Sequence, residues 1–505
     1  MSKDFFVFLC VVLLLAVVLH FGADKFPDPD VFYHFRHADL YWENSIAMSG
    51  FPWVSFSVIN DFSSDIWYGF HFLLIPFTWF QNEILGLNLA GVFVTAAALL
   101  IFYFAVKKAG IFWHYFWPFF LLFSSPLVLY RFTMLRPHLL SLALSALFFV
   151  FAVQGSIWGV FWAGFLIAFF HLGLFWAPVL IFGIVALVKF FSEKIIIWRS
   201  GAALALGLLL GWVLRPNPLG ALKIAKTQIF DLLIARKDAI PLNFGMELSP
   251  MTVSGLAAFS IFTIFWLSVM FIFFCAVFKK NQVVSKRQFL FLWAGLVLSL
   301  IFFLLTLFVA QRSFDFWVMF GVLFIAFVFT YFLRKDYWYK YALAAIFLIM
   351  VIYSFYGYQK NISQFGWDAE RFRSASEWLK ENSKEGEIVF NVAWEYFPEL
   401  FFWNTHNRYI SGMDPIFQYI YDPELYWKAY YLGTGRTTGF TCASTFCEEK
   451  DFEDTYAVLK NDFGASFVFL SRAYDDNLYN YFSNDQHYSL GYENADSAVF
   501  KIIKK

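Results

Sequence analysis

Cysteine is scarce, with four in 505 residues. No two of them stand in the paired CxxC spacing of a structural zinc knuckle, which excludes that kind of metal site. Cys10 and Cys275 fall inside apolar runs and read as small core or lipid-facing residues. Cys442 and Cys447 sit in the polar loop TCASTFCEE, where a disulfide can form if the loop lies outside the cytoplasm. Charge is scarce too: Asp, Glu, Lys and Arg make up 15% of the chain and cancel to a formal net charge of zero, so nothing argues for a nucleic-acid partner. Internal repeats and low-complexity linkers are absent. What the chain has in excess is apolar surface. At 60% hydrophobic and 23% aromatic residues, with a positive mean hydropathy, it carries far more than one soluble core needs and reads as a multi-pass α-helical membrane protein.

At about 20 residues per crossing, spans fall near 5–22, 84–106, 111–129, 138–154, 157–170, 172–188, 200–214, 251–278, 288–310, 314–333 and 341–356. That is about eleven transmembrane helices. The stretch IWYGFHFLLIPFTWF, 66–80, reads as a re-entrant or interfacial helix. A cleavable signal peptide is the rival reading of 1–23, but no regular small-residue cleavage site follows it.

Lysine and arginine in short loops set the orientation. Lys107, Lys108, Lys189, Lys194, Arg199, KKNQVVSKR (279–287) and RKDYWYK (334–340) fall on one side if the spans alternate, and that side is expected to be cytoplasmic. The first loop (23–83), YRFTMLRPH, RPNPLG, AQRSFD and everything after residue 357 then face outward, in a plasma (inner) membrane if the cell is bacterial. Residues 1–357 read as the membrane domain. Residues 358–505, where helix-like AERFRSASEWLKENS alternates with strand-like EIVFNVA, RYISGM and ASFVFLS, read as an extracytoplasmic α/β domain.

Ionisable groups at membrane depth need a partner or a task. Asp28 and Asp30, held extended by Pro27 and Pro29, can bind a divalent cation such as Mg2+ or Mn2+, or one can act as general base on an acceptor hydroxyl. The plainer reading is a proline-stiffened loop leaving the bilayer. In a helix from about Val31, His34 falls on the face of Asp30 and can help hold a metal or acceptor. Arg36 pairs with Asp39 and His37 packs. Arg136 in LRPHLL, Arg215 in LRPNPLG and Arg312 in AQRSFD each sit where a span meets the outer face and suit a phosphate or pyrophosphate. For any one of them, snorkelling to lipid phosphates is the simpler account. His138 and Asn217 in the same motifs, His171 in FFHLG and Glu247 in GMELSP complete the substrate-facing candidates, against the alternatives of a satisfied interior histidine and a loop glutamate.

FPDPDVFYHFRHADLYWE resembles the first extracytoplasmic loop of membrane glycosyltransferases of the GT-C fold, particularly oligosaccharyltransferase catalytic subunits of archaeal type. RPHLLSL, FFHLG, RPNPLG, MELSP and AQRSF, with NVAWEYFPELFFW and NRYISGMDPIF in the tail, are similar to landmarks of uncharacterised bacterial members of that superfamily. The resemblance implies a polyprenyl-phosphate-linked sugar donor and a glycan, lipid or protein acceptor reached from the outer side. It also implies catalysis by Asp28 or Asp30 as base or metal ligand. No WWDYG-type signature occurs in the tail, so transfer of one sugar or a short glycan is expected over protein N-glycosylation. A single acidic cluster suits a one-step inverting displacement. The alternatives are a lipid or solute transporter, which would place its charges near the midplane of broken helices, and a scaffold with an outer binding domain.

Overall fold

The computed structural model describes residues 2–238, 240–242, 248–278, 285–332 and 338–503. Among them eight helices are long and apolar enough to cross a bilayer: Lys3–Phe21, Glu83–Lys108, Pro137–Gln154, Leu172–Glu193, Ser260–Val277, Lys286–Phe308, Gln311–Tyr331 and Tyr339–Phe365. A ninth is broken, with Trp198–Val213 and Pro218–Lys237 meeting at 107°. Pro216 and Pro218 supply no N–H at the break, and Asn217 between them takes a left-handed φ of 48°. The expected count of about eleven is reached only with two shorter pieces. The 111–129 run is cut into Trp117–Leu122 and Pro126–Phe132, each with a proline in its first turn, and Ile157–Phe170 has 14 residues. The 66–80 stretch forms the 11-residue helix Tyr68–Thr78.

Two ends of the helical body differ in chemistry. At one, Gln154 Nε2 donates to the Lys108 carbonyl (2.7 Å), the Phe112 N–H to the Thr330 hydroxyl (3.2 Å), and the Lys340 ammonium lies 5.8 Å from the Trp113 ring centre. Among the described residues that end carries Lys108 and Lys340. The other end gathers the starts of Asp30–Glu43, Pro137–Gln154, Leu172–Glu193 and Gln311–Tyr331. Ile157–Phe170 and Trp198–Val213 pack backbone to backbone along their length. A Cβ on Gly207 or Gly211 would stand 2.3 or 2.5 Å from the carbonyl oxygens of Phe161 and Phe165, so only glycine permits the approach.

The C-terminal domain is α/β. Its strands are β1 (Ile388–Asn391), β2 (Arg408–Tyr409), β3 (Phe440–Thr441), β4 (Glu453–Asp454), β5 (Ala465–Ser471), β6 (Tyr488–Glu493) and β7 (Ser497–Ile502). Five form one sheet in the order β2-β1-β5-β7-β6, with β1 parallel to β2 and β5, and β7 antiparallel to β5 and β6. The last span continues as helix past residue 357 to Phe365. Cys442 and Cys447 are joined by a disulfide.

The first loop is the seam between the two parts. Trp53 and Ser55 exchange backbone bonds with Tyr409 (2.8 Å each), the Phe56 N–H donates to Ile410 (3.1 Å), and Phe26 pairs with Trp367 (2.7 and 2.8 Å). Arg36 adds a bond from Nε to the Phe402 carbonyl (2.7 Å) alongside its pairs with Asp39 (2.5 Å) and Glu83 (2.6 Å). A loop assigned by sequence to the membrane domain is therefore bonded to the C-terminal sheet as well.

Candidate active site

Where the helix starts meet the C-terminal domain lies a cavity of about 400 Å³. Four positive helix ends already favour an anion at this place. The C-terminal domain closes it from above: Trp394 and Glu395 follow the carboxyl end of β1, and Met413 to Pro415 follow β2. Loops beyond the carboxyl ends of parallel strands are a common place for ligand contacts.

Asp28, Asp30, His34, Arg136, His138, His171 and Arg312 all line this cavity. Residues spread over 285 positions of sequence thus share one wall, counting from Asp28 to Arg312 inclusive. Asp28 is 2% exposed and accepts from Arg136 through both oxygens, Oδ2 from Nε and Oδ1 from Nη2. The same Nη2 stands 2.9 Å from Asp30 Oδ2. The Asp30 N–H donates to Asp28 Oδ1 (3.3 Å) and the Tyr130 hydroxyl to the Pro27 carbonyl; the segment is not extended throughout as expected, because Pro29 takes helical angles (φ -71°, ψ -23°) and Asp30 opens the helix Asp30–Glu43.

Arg131 is a cationic residue of the cavity that sequence reasoning does not single out. Its Nε and Nη2 each donate to Asp315 Oδ2 at 3.1 Å, both residues being buried. The guanidiniums facing the cavity are therefore Arg131, Arg136 and Arg312. Arg215 stands outside, clamped to backbone carbonyls of Asp65 (3.0 Å), Ala168 (2.6 Å) and Gly211 (2.8 Å), where it ties the broken span to its neighbours. Asn217 is outside as well: its Nδ2 donates to the Phe62 carbonyl (2.7 Å) and its Oδ1 caps the next helix at the Gly220 N–H (3.1 Å). Glu247 lies outside the described residues.

Two histidines of the cavity have nitrogens with no protein partner: both ring nitrogens of His138, and Nδ1 of His171. Burial, then the charges of Arg312, Arg136 and Arg131, push the His171 imidazolium down to about 3. The ring is neutral there and its surroundings are strongly electropositive. Burial raises the carboxyl of Glu395 above its ordinary value, with Arg371 opposing.

His34 turns its other side to a buried chain. Its Nδ1 is 2.7 Å from His71 Nε2, and His71 Nδ1 is 2.6 Å from Asp65 Oδ2. Asp65 Oδ2 also accepts from the Tyr41 hydroxyl (3.0 Å), and Oδ1 from the Trp67 N–H (2.7 Å). His37 stacks on His71 at 4.3 Å and bonds Tyr33 through Nδ1 (3.0 Å).

Metal fit can be judged on these contacts. Both oxygens of Asp28 and Oδ2 of Asp30 are engaged by the Arg136 guanidinium, so the pair as arranged does not fit a Mg2+ or Mn2+ ion. Among the described residues the one group of His and Asp with clustered ligand atoms is His37, Asp65 and His71. There both His71 nitrogens and Asp65 Oδ2 are engaged in hydrogen bonds.

Crystal structures of ArnT from Cupriavidus metallidurans, one in the apo state and one bound to undecaprenyl phosphate, each match this structure with a TM-score of 0.55. The match covers 99% of this chain and 98% of ArnT at 9% sequence identity. The chain has the GT-C fold. No family model matches the sequence, and no curated protein matches it. The GT-C likeness therefore lies in the arrangement of helices and C-terminal domain, which agrees with the resemblance carried by the first-loop motif.

Proposed function

We propose that the chain is a membrane glycosyltransferase that moves a sugar or short glycan from a polyprenyl-phosphate donor to an acceptor on the extracytoplasmic side. The observation that carries this reading is the cavity itself, in which three guanidiniums, four helix starts and two histidines with unpartnered nitrogens face the carboxylates of the first loop. ArnT, which shares the fold, has been seen with undecaprenyl phosphate bound. In this reading the donor phosphate sits among Arg131, Arg136 and Arg312, with His138 and His171 as neutral donors, while its polyprenyl tail stays in the bilayer. Asp28 holds the Arg136 fork in place. Asp30, at the same guanidinium, orients the acceptor. The anomeric C–O bond to phosphate breaks as the acceptor oxygen bonds the anomeric carbon, and the leaving phosphate keeps the electron pair under the arginines.

Orientation follows from two supports. Lys108 and Lys340 lie at the end opposite the cavity, as basic residues of cytoplasmic loops do, and the Cys442–Cys447 disulfide suits an oxidising compartment.

The test is to incubate purified full-length protein in nanodiscs with a panel of polyprenyl-phosphate sugars. Consumption of at least one donor, undiminished in chelator, is the expected result. Failure to consume any donor would overturn the reading, and loss of activity in chelator restored by Mg2+ or Mn2+ would return Asp28 and Asp30 to the role of metal ligands.

A further inference from the structure

The chain Asp65–His71–His34 has no part in holding a phosphate, yet it ends at the cavity wall. All three residues are at most 7% exposed. The hydrogen on His71 Nδ1 follows from the carboxylate at the inner end. Burial works against its charge, but His71 and His37 and the bonds from His71 and the Trp67 N–H keep Asp65 below the usual carboxylate range. Ionised Asp65 can only accept, so His71 Nδ1 carries hydrogen. One hydrogen is shared along the 2.7 Å contact between His34 Nδ1 and His71 Nε2, and the relay proposed below requires it on His34 Nδ1, donating to His71 Nε2. His34 Nε2 is left with a lone pair for the cavity. Trp67 and Phe70 stand edge-on to the His34 ring at 5.3 Å each and keep water from its flanks.

We propose that His34 is the proton acceptor of the transfer step, with His71 and Asp65 as positioning residues that fix its tautomer and take up the charge it gains. The proposal rests on the glycosyl-transfer reading above. Asp28 is poorly placed for the task, because Arg136 occupies both of its oxygens. As the acceptor oxygen attacks the anomeric carbon, its proton passes to His34 Nε2. The Nδ1 proton of His34 moves to His71 Nε2, and the imidazolium so formed is paired with Asp65 through its Nδ1–H. The donor C–O pair leaves with the phosphate, so charge and atoms balance without a metal. The arrangement is the logic of a hydrolytic triad lengthened by one ring.

Two measurements on the full-length protein test this. In the first, magic-angle-spinning NMR of protein labelled with 15N-histidine, with His34 assigned by comparison with His34→Gln, reads the tautomers directly. The expected result is a protonated Nδ1 and an unprotonated Nε2 on His34. In Asp65→Asn, whose amide can donate to His71, both rings are expected to reverse. A protonated His34 Nε2 in the unmodified protein would overturn the proposal. The second measurement is donor turnover. His34→Ala and Asp65→Asn are expected to lower kcat by ~10²- to 10⁴-fold with little change in the donor KM. Added imidazole should restore part of the His34→Ala loss, which it would not do for a residue that merely packs. Turnover by His34→Ala at the unmodified rate would sink the relay while leaving the glycosyltransferase reading intact. Absence of turnover in the unmodified protein would count against that reading itself, and the tautomer measurement would still decide whether the chain is poised to accept a proton.

Discussion

Replacing Arg136 by Ala is expected to abolish sugar transfer and to weaken the fold in the same stroke. The guanidinium bridges Asp28 and Asp30, and Asp28 is buried. Removing one partner of a buried ion pair typically costs about 3–5 kcal/mol, because the other charge is left uncompensated. Losing a cation aimed at a leaving phosphate costs a further ~10²- to 10³-fold in rate. Lysine should not restore activity, since a point charge cannot contact both oxygens of Asp28 and also reach Asp30. The two effects separate in the double variant Arg136→Gln with Asp28→Asn, which removes both charges. Thermal unfolding in detergent should return toward the unmodified value while donor turnover stays lost. Full turnover by Arg136→Ala would place the phosphate elsewhere.

The second large effect is expected at Asp315, which sits in a span and takes two hydrogen bonds from Arg131. Asp315→Ala should destabilise the protein by about 3–5 kcal/mol, again through an unpaired buried charge. Asp315→Asn keeps one acceptor oxygen and should cost less. Replacing the pair together, Arg131→Met with Asp315→Leu, is expected to recover stability but to weaken donor binding, since one of three cavity cations is gone. Unfolding midpoints and donor KM for the four proteins check this. If the double variant binds donor unchanged, Arg131 serves the fold alone.

Much of the candidate site is legible in the amino-acid sequence. The proline-stiffened Asp28–Asp30 pair and the ionisable residues at Arg136, His138, His171 and Arg312 stand out because a membrane chain carries few charges, and these sit at helix starts. Arg215 has the same local signature but turns inward to carbonyls, a choice made by the close packing of Gly207 and Gly211 against Ile157–Phe170. Arg131 lies in the same motif as Arg136, yet its partner Asp315 is 184 residues away, and nothing in either neighbourhood announces the pair. The relay is hidden for a similar reason. Asp65 and His71 look like a loop aspartate and an interfacial histidine until Asp30–Glu43 and Tyr68–Thr78 pack together and bring His34 within 2.7 Å. Span counting fails where composition stays apolar but backbone chemistry changes, as at Pro118 and Pro126, each of which starts a new short helix within one hydrophobic run.

The claim on which the rest depends is that this cavity holds the phosphate of a polyprenyl lipid. Cryo-electron microscopy of the full-length protein in nanodiscs with undecaprenyl phosphate would test it most directly. The expected density places the phosphate within hydrogen-bond distance of Arg136 and at least one of Arg131 and Arg312, with the tail leaving between helices into the bilayer. An occupied lipid site elsewhere on the protein, with Arg136 still bound to Asp28 and the cavity holding water alone, would contradict the account.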